Sequence, residues 1–156
     1  MRDLHCAHAR FVWNLCAEQQ SWWRPGRASA PGNGERMRQL AGIRAAEAWL
    51  RAGSSAVQQQ ALRDFDKAMA AFFGTGNPAG RPGFRSKRGV PGFVIRDTKV
   101  GRISRTWGEV QVPKCGWVRF RWTRPLPHKP GMARVTLDRA GRETGKPAAG
   151  TTRSAA

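Results

Sequence analysis

Hydrophobic and polar positions change rhythm once along this chain. In the first half apolar residues recur at intervals of three and four, which gathers them on one side of an α-helix; in the second half they alternate by twos, as strand residues do. "LHCAHARFVWNLCAEQQSWW", residues 4–23, sets Leu4, Ala7, Phe11, Leu15 and Trp22 near one stripe, with Val12 and Cys16 beside it, and predicts a first helix. "RPGRASAPGNG" interrupts it with prolines and glycines, and helical composition resumes from Glu35 until Gly53. The clearest helix follows. Ser54 or Ser55 is placed to cap it, and Val57, Ala61, Phe65, Ala68 and Phe72 build an apolar stripe that Leu62, Met69 and Phe73 widen. Gly74 is expected to stop this helix in the left-handed conformation. Stripes of this kind normally bury, so this one reads as core and not as a binding groove.

The strand-like half contains "GFVIR", "GEVQVP", "GWVRFRW" and "ARVTL", short runs punctuated by Gly and Pro. They predict a small antiparallel sheet or a partly closed barrel. The fold class expected is therefore α+β: a helical lobe over residues 1–76, a β lobe over 77–140, and a disordered tail over 141–156, which lacks any large apolar residue. Within "GWVRFRW", Val118, Phe120 and Trp122 point one way, and Trp117, Arg119, Arg121 and Thr123 the other. One face is apolar and the opposite one carries guanidinium groups.

Charge gives that second face its interest. The chain carries a net +18 with a pI near 11.8. Residues 1–75 hold ten Lys/Arg against six Asp/Glu, or +4, and residues 76–156 hold eighteen against four, or +14. So much like charge repels itself and calls for a polyanionic partner. Nucleic acid is the expected one, with an anionic membrane surface as the rival. No apolar run approaches the roughly 18 residues that span a bilayer, and no signal-peptide core is present, so neither a membrane partner nor export is expected. Cys6, Cys16 and Cys115 lack metal-site spacing and read as reduced thiols of a cytoplasmic protein.

No catalytic constellation stands out. Asp64 and Asp66 lie two apart on a helix and do not face each other, which argues against a two-metal pair and leaves surface solvation as their expected role. His5 and His8 lack the glutamate and the four-residue spacing of a zinc-hydrolase helix. Phosphate-loop, nucleophile-elbow and dinucleotide motifs are missing as well. The expectation is no catalytic residue, no metal, no cofactor and no small-molecule substrate. The basic segments are more informative. "GRPGFRSKR" groups Arg81, Arg85, Lys87 and Arg88 around a Phe, and the later strand region adds Lys114, Arg119, Arg121 and Arg124. Six to eight such contacts to phosphates would bind strongly and with salt sensitivity. Trp117 is placed to stack on a base, or else to cover its neighbours' methylene stems.

Four ordered motifs resemble the TnpB (OrfB) family of transposon-encoded proteins, RNA-guided DNA nucleases related to type V CRISPR effectors. They are "HARFVWN" from His8 to Asn14, "VQQQALRDFDKAMAAFF" from Val57 to Phe73, "GRPGFRSKR", and "VPKCGWVRFRWTRPLP" from Val112 to Pro127, followed by the strand start "VTLDRAGR". The resemblance implies a helical recognition lobe over residues 4–74 beside a wedge-like barrel near 80–140, which together hold guide RNA and the duplex flanking the target. It also marks departures: the basic strand that usually precedes the first helix is lacking, "ETGKPAAGTTRSAA" breaks the strand alternation, and the RuvC-like nuclease with its zinc ribbon would lie beyond residue 156. A truncated, transposase-family DNA- or RNA-binding protein without its own nuclease site is the leading expectation. The alternatives are a non-functional, partly folded remnant and an active nuclease with an unrecognised metal site.

Overall fold

Four helices precede six strands among the described residues, giving an α+β protein. The computed structural model describes residues 1–23, 26, 29–74, 76, 79–125 and 131–137, together with the backbone of 143–148. Helices α1 (Arg2–Ser21), α2 (Asn33–Ala46), α3 (Ala48–Ala52) and α4 (Ser55–Phe73) lead into β1 (Gly92–Arg96), β2 (Val100–Arg102), β3 (Trp107–Val112), β4 (Gly116–Arg121), β5 (Met132–Leu137) and β6 (Glu143–Ala148). The strands form two antiparallel sheets of three, ordered β1-β5-β6 and β2-β3-β4.

One apolar core joins the helices to both sheets. Val12, Trp13, Cys16, Leu62 and Phe65 share a cluster with Phe93, Ile95, Val110, Val118, Phe120 and Val135. Burying each of the larger side chains contributes about 1.5–3 kcal/mol. Trp13 meets Phe65 edge to face at 5.2 Å, and His5 meets Phe93 in the same way at 5.3 Å, so α1 lies against both α4 and β1. Helices α1 and α4 run in the same direction, since contacts climb both together from His5 and Ser54, through His8 and Gln58, to Trp13 and Phe65. Parallel neighbours need a return path, and α2 and α3 supply it.

Several expectations are altered by these contacts. The stripe on α1 is rotated: its buried residues are His5, Cys6, His8, Ala9, Val12, Trp13, Cys16 and Ala17, whereas Phe11 lies at the surface and Trp22 is 66% exposed. A helix wedged between α4 and β1 buries a wide arc, and His and Cys fill much of it. The helix expected over 35–53 breaks at Glu47, whose φ of −99° and ψ of 104° are extended. Ser54 takes the N-cap position of α4 in extended backbone, but its side chain makes no cap bond. Phe73, counted on the α4 stripe, is 68% exposed, and Gly74 leaves the helix at φ −69° and ψ 138° instead of the left-handed region. Strands β2 and β6 escape the alternation rule. Backbone pairing with β5, from Met132 opposite Ala148 to Leu137 opposite Glu143, places a strand in the 143–148 part of the tail expected over 141–156; 141–142 and 149–156 lie outside the described residues.

Many polar groups inside the core are matched, although His8 Nε2, Gln19 Oε1, Arg36 Nε and Gln60 Oε1 are buried without a partner among the described residues. The Ser54 backbone N–H donates to His5 Nε2 at 3.3 Å, leaving Nδ1 to face Cys115 Sγ at 3.5 Å. Gln58 Nε2 donates to His8 Nδ1 at 3.0 Å and to the Leu50 carbonyl at 2.8 Å, while its oxygen accepts from Arg44. Arg36, 5% exposed, pairs with Asp66 at 2.6 Å, donates to Gln20 and lies over the Phe65 ring, fastening α2 to α1 and α4. Asp66 is therefore a structural anion and not a solvating one; removing it would strand a buried cation, typically at a cost of about 3–5 kcal/mol. Burial pushes the thiols of Cys6 and Cys16 up to about 11. All three cysteines are free of disulfides.

Gly53 and Gly42 give opposite expectations. A Cβ at Gly53 would lie 2.1 Å from His8 Nδ1, whereas one at Gly42, inside α2, meets nothing within 4 Å. Gly53→Ala is expected to lower unfolding free energy by about 1–3 kcal/mol through overpacking, and Gly42→Ala to raise it by about 0.5–1 kcal/mol through helix propensity, both read by denaturant titration. The two histidines generate a pH dependence. Burial, the larger cause for each, holds both imidazoles below their ordinary 6.5. The unfolded chain takes up these protons first, so stability is full above about 6.5 and falls as pH drops below it. Thermal midpoints measured at about pH 7.5 and about pH 5 should show that fall; equal midpoints would contradict neutral, buried imidazoles.

Candidate nucleic-acid interface

The outer face of β3 and β4 follows from strand alternation. Val110, Val112, Val118 and Phe120 turn inward and are buried, which sends Trp107, Glu109, Gln111, Trp117, Arg119 and Arg121 outward. Register then sets the pairs: Trp107 stands opposite Arg121, Glu109 opposite Arg119, and Gln111 opposite Trp117. The two indoles are thus placed at opposite ends of the face, 44% and 50% exposed, separated along the strands by about 13 Å. The Arg121 guanidinium lies over the Trp107 ring with 5.8 Å to its centroid, an alignment worth about 0.5–1 kcal/mol at an exposed site. Arg119 borders a shallow hollow with Ile103, Ser104 and Trp107. Glu109 sits across from Arg119, so one carboxylate moderates the charge in the middle of the face.

Glycine makes this hairpin possible at two places. A Cβ on Gly108 would come within 2.5 Å of the Trp122 ring and 2.8 Å of Phe120, which stack on each other at 5.6 Å beneath the sheet. Gly116 takes φ 79° at the β3–β4 turn, and Lys114 before it takes φ 60°, at a cost of about 1–2 kcal/mol for a residue with a Cβ. That strained backbone aims Lys114 Nζ at the carbonyls of Ala52 and Arg51, at 2.9 and 3.4 Å, at the end of α3. Free carbonyls at a helix end attract a cation.

The sequence-derived candidates thus separate into two groups. Trp117, Arg119 and Arg121 share the outer face, and exposed Arg124 follows just beyond β4. Lys87 and Arg88 lie exposed in the turn preceding β1. The remaining three are engaged within the protein. Lys114 is tied to α3 as described. Arg81 donates to the Gln20 carbonyl at 3.0 Å, giving the last turn of α1 the cation its own sequence lacks. The Arg85 guanidinium lies over the indole of Trp13, 3.4 Å from its centroid.

Trp13 and Asn14 hold the whole 83–85 segment. Trp13 Nε1 donates to the Gly83 carbonyl at 2.8 Å. Asn14 accepts from the Arg85 N–H at 2.7 Å and donates to the Arg85 carbonyl at 3.1 Å. Two of the motifs singled out in the sequence, "HARFVWN" and "GRPGFRSKR", therefore meet in space. Trp107 was not among the candidates, although counting by twos through "WGEVQV" places it on the same face as Glu109 and Gln111. Among the described residues no group of three or more His, Cys, Asp or Glu is arranged to hold a metal ion, and no helix is long and apolar enough to cross a membrane. No protein-family model matches the chain, and no curated protein matches it.

Asn14→Ala is expected to cost about 1 kcal/mol, because the two bonds it removes lie near solvent and water can replace them. The clearer readout is local. Trypsin cleavage at Arg85, Lys87 and Arg88 should accelerate several-fold in Asn14→Ala, while cleavage elsewhere keeps its rate; an unchanged digestion pattern would contradict the clamp.

Proposed function

We propose that the chain binds nucleic acid through the outer face of β3 and β4, with unstacked bases lying on Trp107 and Trp117 and phosphates paired with Arg119, Arg121 and Arg124. The observation that carries this reading is the placement of two exposed indoles at the ends of one ladder face that also presents Arg119 and Arg121, in the half of the chain that holds +14 of its net +18 charge. Indoles offer every base a π-face, and guanidiniums offer phosphates a planar fork, so the face suits single-stranded segments of DNA or RNA without a strict sequence code. The resemblance to TnpB/OrfB proteins supports the same reading and suggests guide RNA or the DNA beside its target as the partner. In that reading the helical lobe braces the β lobe, and residues 1–156 bind without cutting.

Fluorescence anisotropy with a labelled single-stranded oligonucleotide, repeated over a range of salt, tests this. Affinity should fall steeply with salt, and Arg119→Ala with Arg121→Ala should reduce the slope of log K against log salt by about 1.4, or about 0.7 per lost phosphate contact. Trp107→Ala or Trp117→Ala should weaken binding by about 1–3 kcal/mol while leaving that slope unchanged. Affinity indifferent to salt would sink the proposal. Cleavage of labelled DNA by the protein with magnesium and candidate guide RNA would instead favour a nuclease.

A further inference from the structure

A second concentration of arginine lies away from the strand ladder, at the seam between the helices and the β1-β5-β6 sheet. A cleft of about 240 Å³ opens there, lined by Cys6 and Arg10 of α1, Arg85 and Ser86 of the clamped segment, Gly92 of β1 and Arg134 of β5. An adjoining hollow also touches Arg85 and Arg134 and reaches Asp64, a carboxylate that already accepts from Gln60 at 2.7 Å. Arginines from three separate segments thus line one concavity, with one acid in the adjoining hollow.

Such an arrangement is unfavourable by itself. Burial lowers the pKa of Arg85 and the neighbouring Arg134 adds to that, with Asp64 opposing them. Arginine does not escape by losing its proton, so the like charges remain and the potential inside the concavity is positive. The Arg85 guanidinium cannot swing out without leaving the Trp13 ring, and its backbone is held in place by Asn14. The fold therefore holds at least one of the three cations in place ahead of any ligand, which reduces the ordering cost of binding. The Ser86 hydroxyl adds an uncharged donor. The cleft is smaller than the roughly 300–1,000 Å³ of drug-sized pockets, and although Val90 and Pro91 also line it, its three arginines and Ser86 suit a compact anion with several acceptor oxygens.

We propose that this cleft is a binding site for one phosphate group, held by Arg10, Arg85 and Arg134. It rests on residues other than those of the β3–β4 face, so either proposal can fail alone. The phosphate can belong to a nucleic-acid backbone or to a terminal phosphomonoester; bidentate guanidinium–phosphate pairing is common to both.

The test uses the full chain and inorganic phosphate, titrated at constant ionic strength against chloride and followed by the arginine side-chain NMR signals. Saturable shifts confined to Arg10, Arg85 and Arg134 are expected. Arg10→Gln with Arg134→Gln should weaken phosphate binding at least about tenfold through lost charge-assisted contacts, whereas the charge-matched pair Arg96→Gln and Arg105→Gln, both at exposed positions, should stay within about twofold. If the double variant loses its cooperative melt, Arg134→Gln alone, at an exposed strand position, gives the same comparison with a smaller loss. An equal loss in the charge-matched pair, or shifts that never saturate, would overturn the site in favour of diffuse counterion attraction. Short oligonucleotides with and without a 5′-phosphate then compete against inorganic phosphate: stronger competition by the phosphorylated one assigns the site to a chain end, and equal competition assigns it to the backbone. If salt-sensitive oligonucleotide binding persists while phosphate binding at the cleft is absent, the cleft alone is wrong.

Discussion

Asn14 fills both backbone hydrogen-bonding groups of Arg85, 71 residues further along the chain. With Trp13 beneath the Arg85 guanidinium and bonded to Gly83, this contact fixes where the chain arrives after the helices and hence how β1 meets α1 and α4. Lys114 makes a second tie, from the β3–β4 turn to the end of α3. Both sheets are in this way referred to the helical lobe by specific polar contacts as well as by the shared core. Apolar packing alone specifies approximate burial; these bonds specify register and angle.

The two halves of the chain treat charge differently. In the helical half cations find partners: Arg36 with Asp66, Arg38 with Glu35, Arg44 with Gln58 and the Leu50 carbonyl. In the β half eighteen cations share four acids, and rings and backbone carbonyls take up some of the excess, as with Arg102 over Trp122 and Arg121 over Trp107. These contacts leave the guanidinium charge intact while restricting its motion. A face built in this way keeps its attraction for anions and loses less side-chain entropy when one arrives.

Legibility in the sequence followed the range of the interaction involved. Helix α4 and the alternation of β4 were readable because neighbours three, four or two residues apart decide them. The inner face of α1 was not, since His5 and His8 count as polar until His5 is seen against Phe93 and Ser54 and His8 against Gln58 and Trp49. Strands β2 and β6 exist through their partners, with little local preference of their own, and the break at Glu47 has no Gly or Pro to announce it. The same division runs through the candidate site. Trp117, Arg119 and Arg121 were legible as one face, whereas the grouping of Arg10 with Arg134 joins α1 to β5 and leaves no trace in spacing.

The distances spanned by the closing contacts also bear on time. Gln58 reaches His8 across 50 residues, Arg85 reaches Asn14 across 71, and Cys115 reaches His5 across 110. With α1 and α4 parallel, no tight turn brings the first helix to its neighbour, and loops must close before the core rewards them. In a chain of this topology α4 can meet α1 and α2 once residues 1–73 are made, but the part of its apolar side that faces β1 waits uncovered until the β half has emerged.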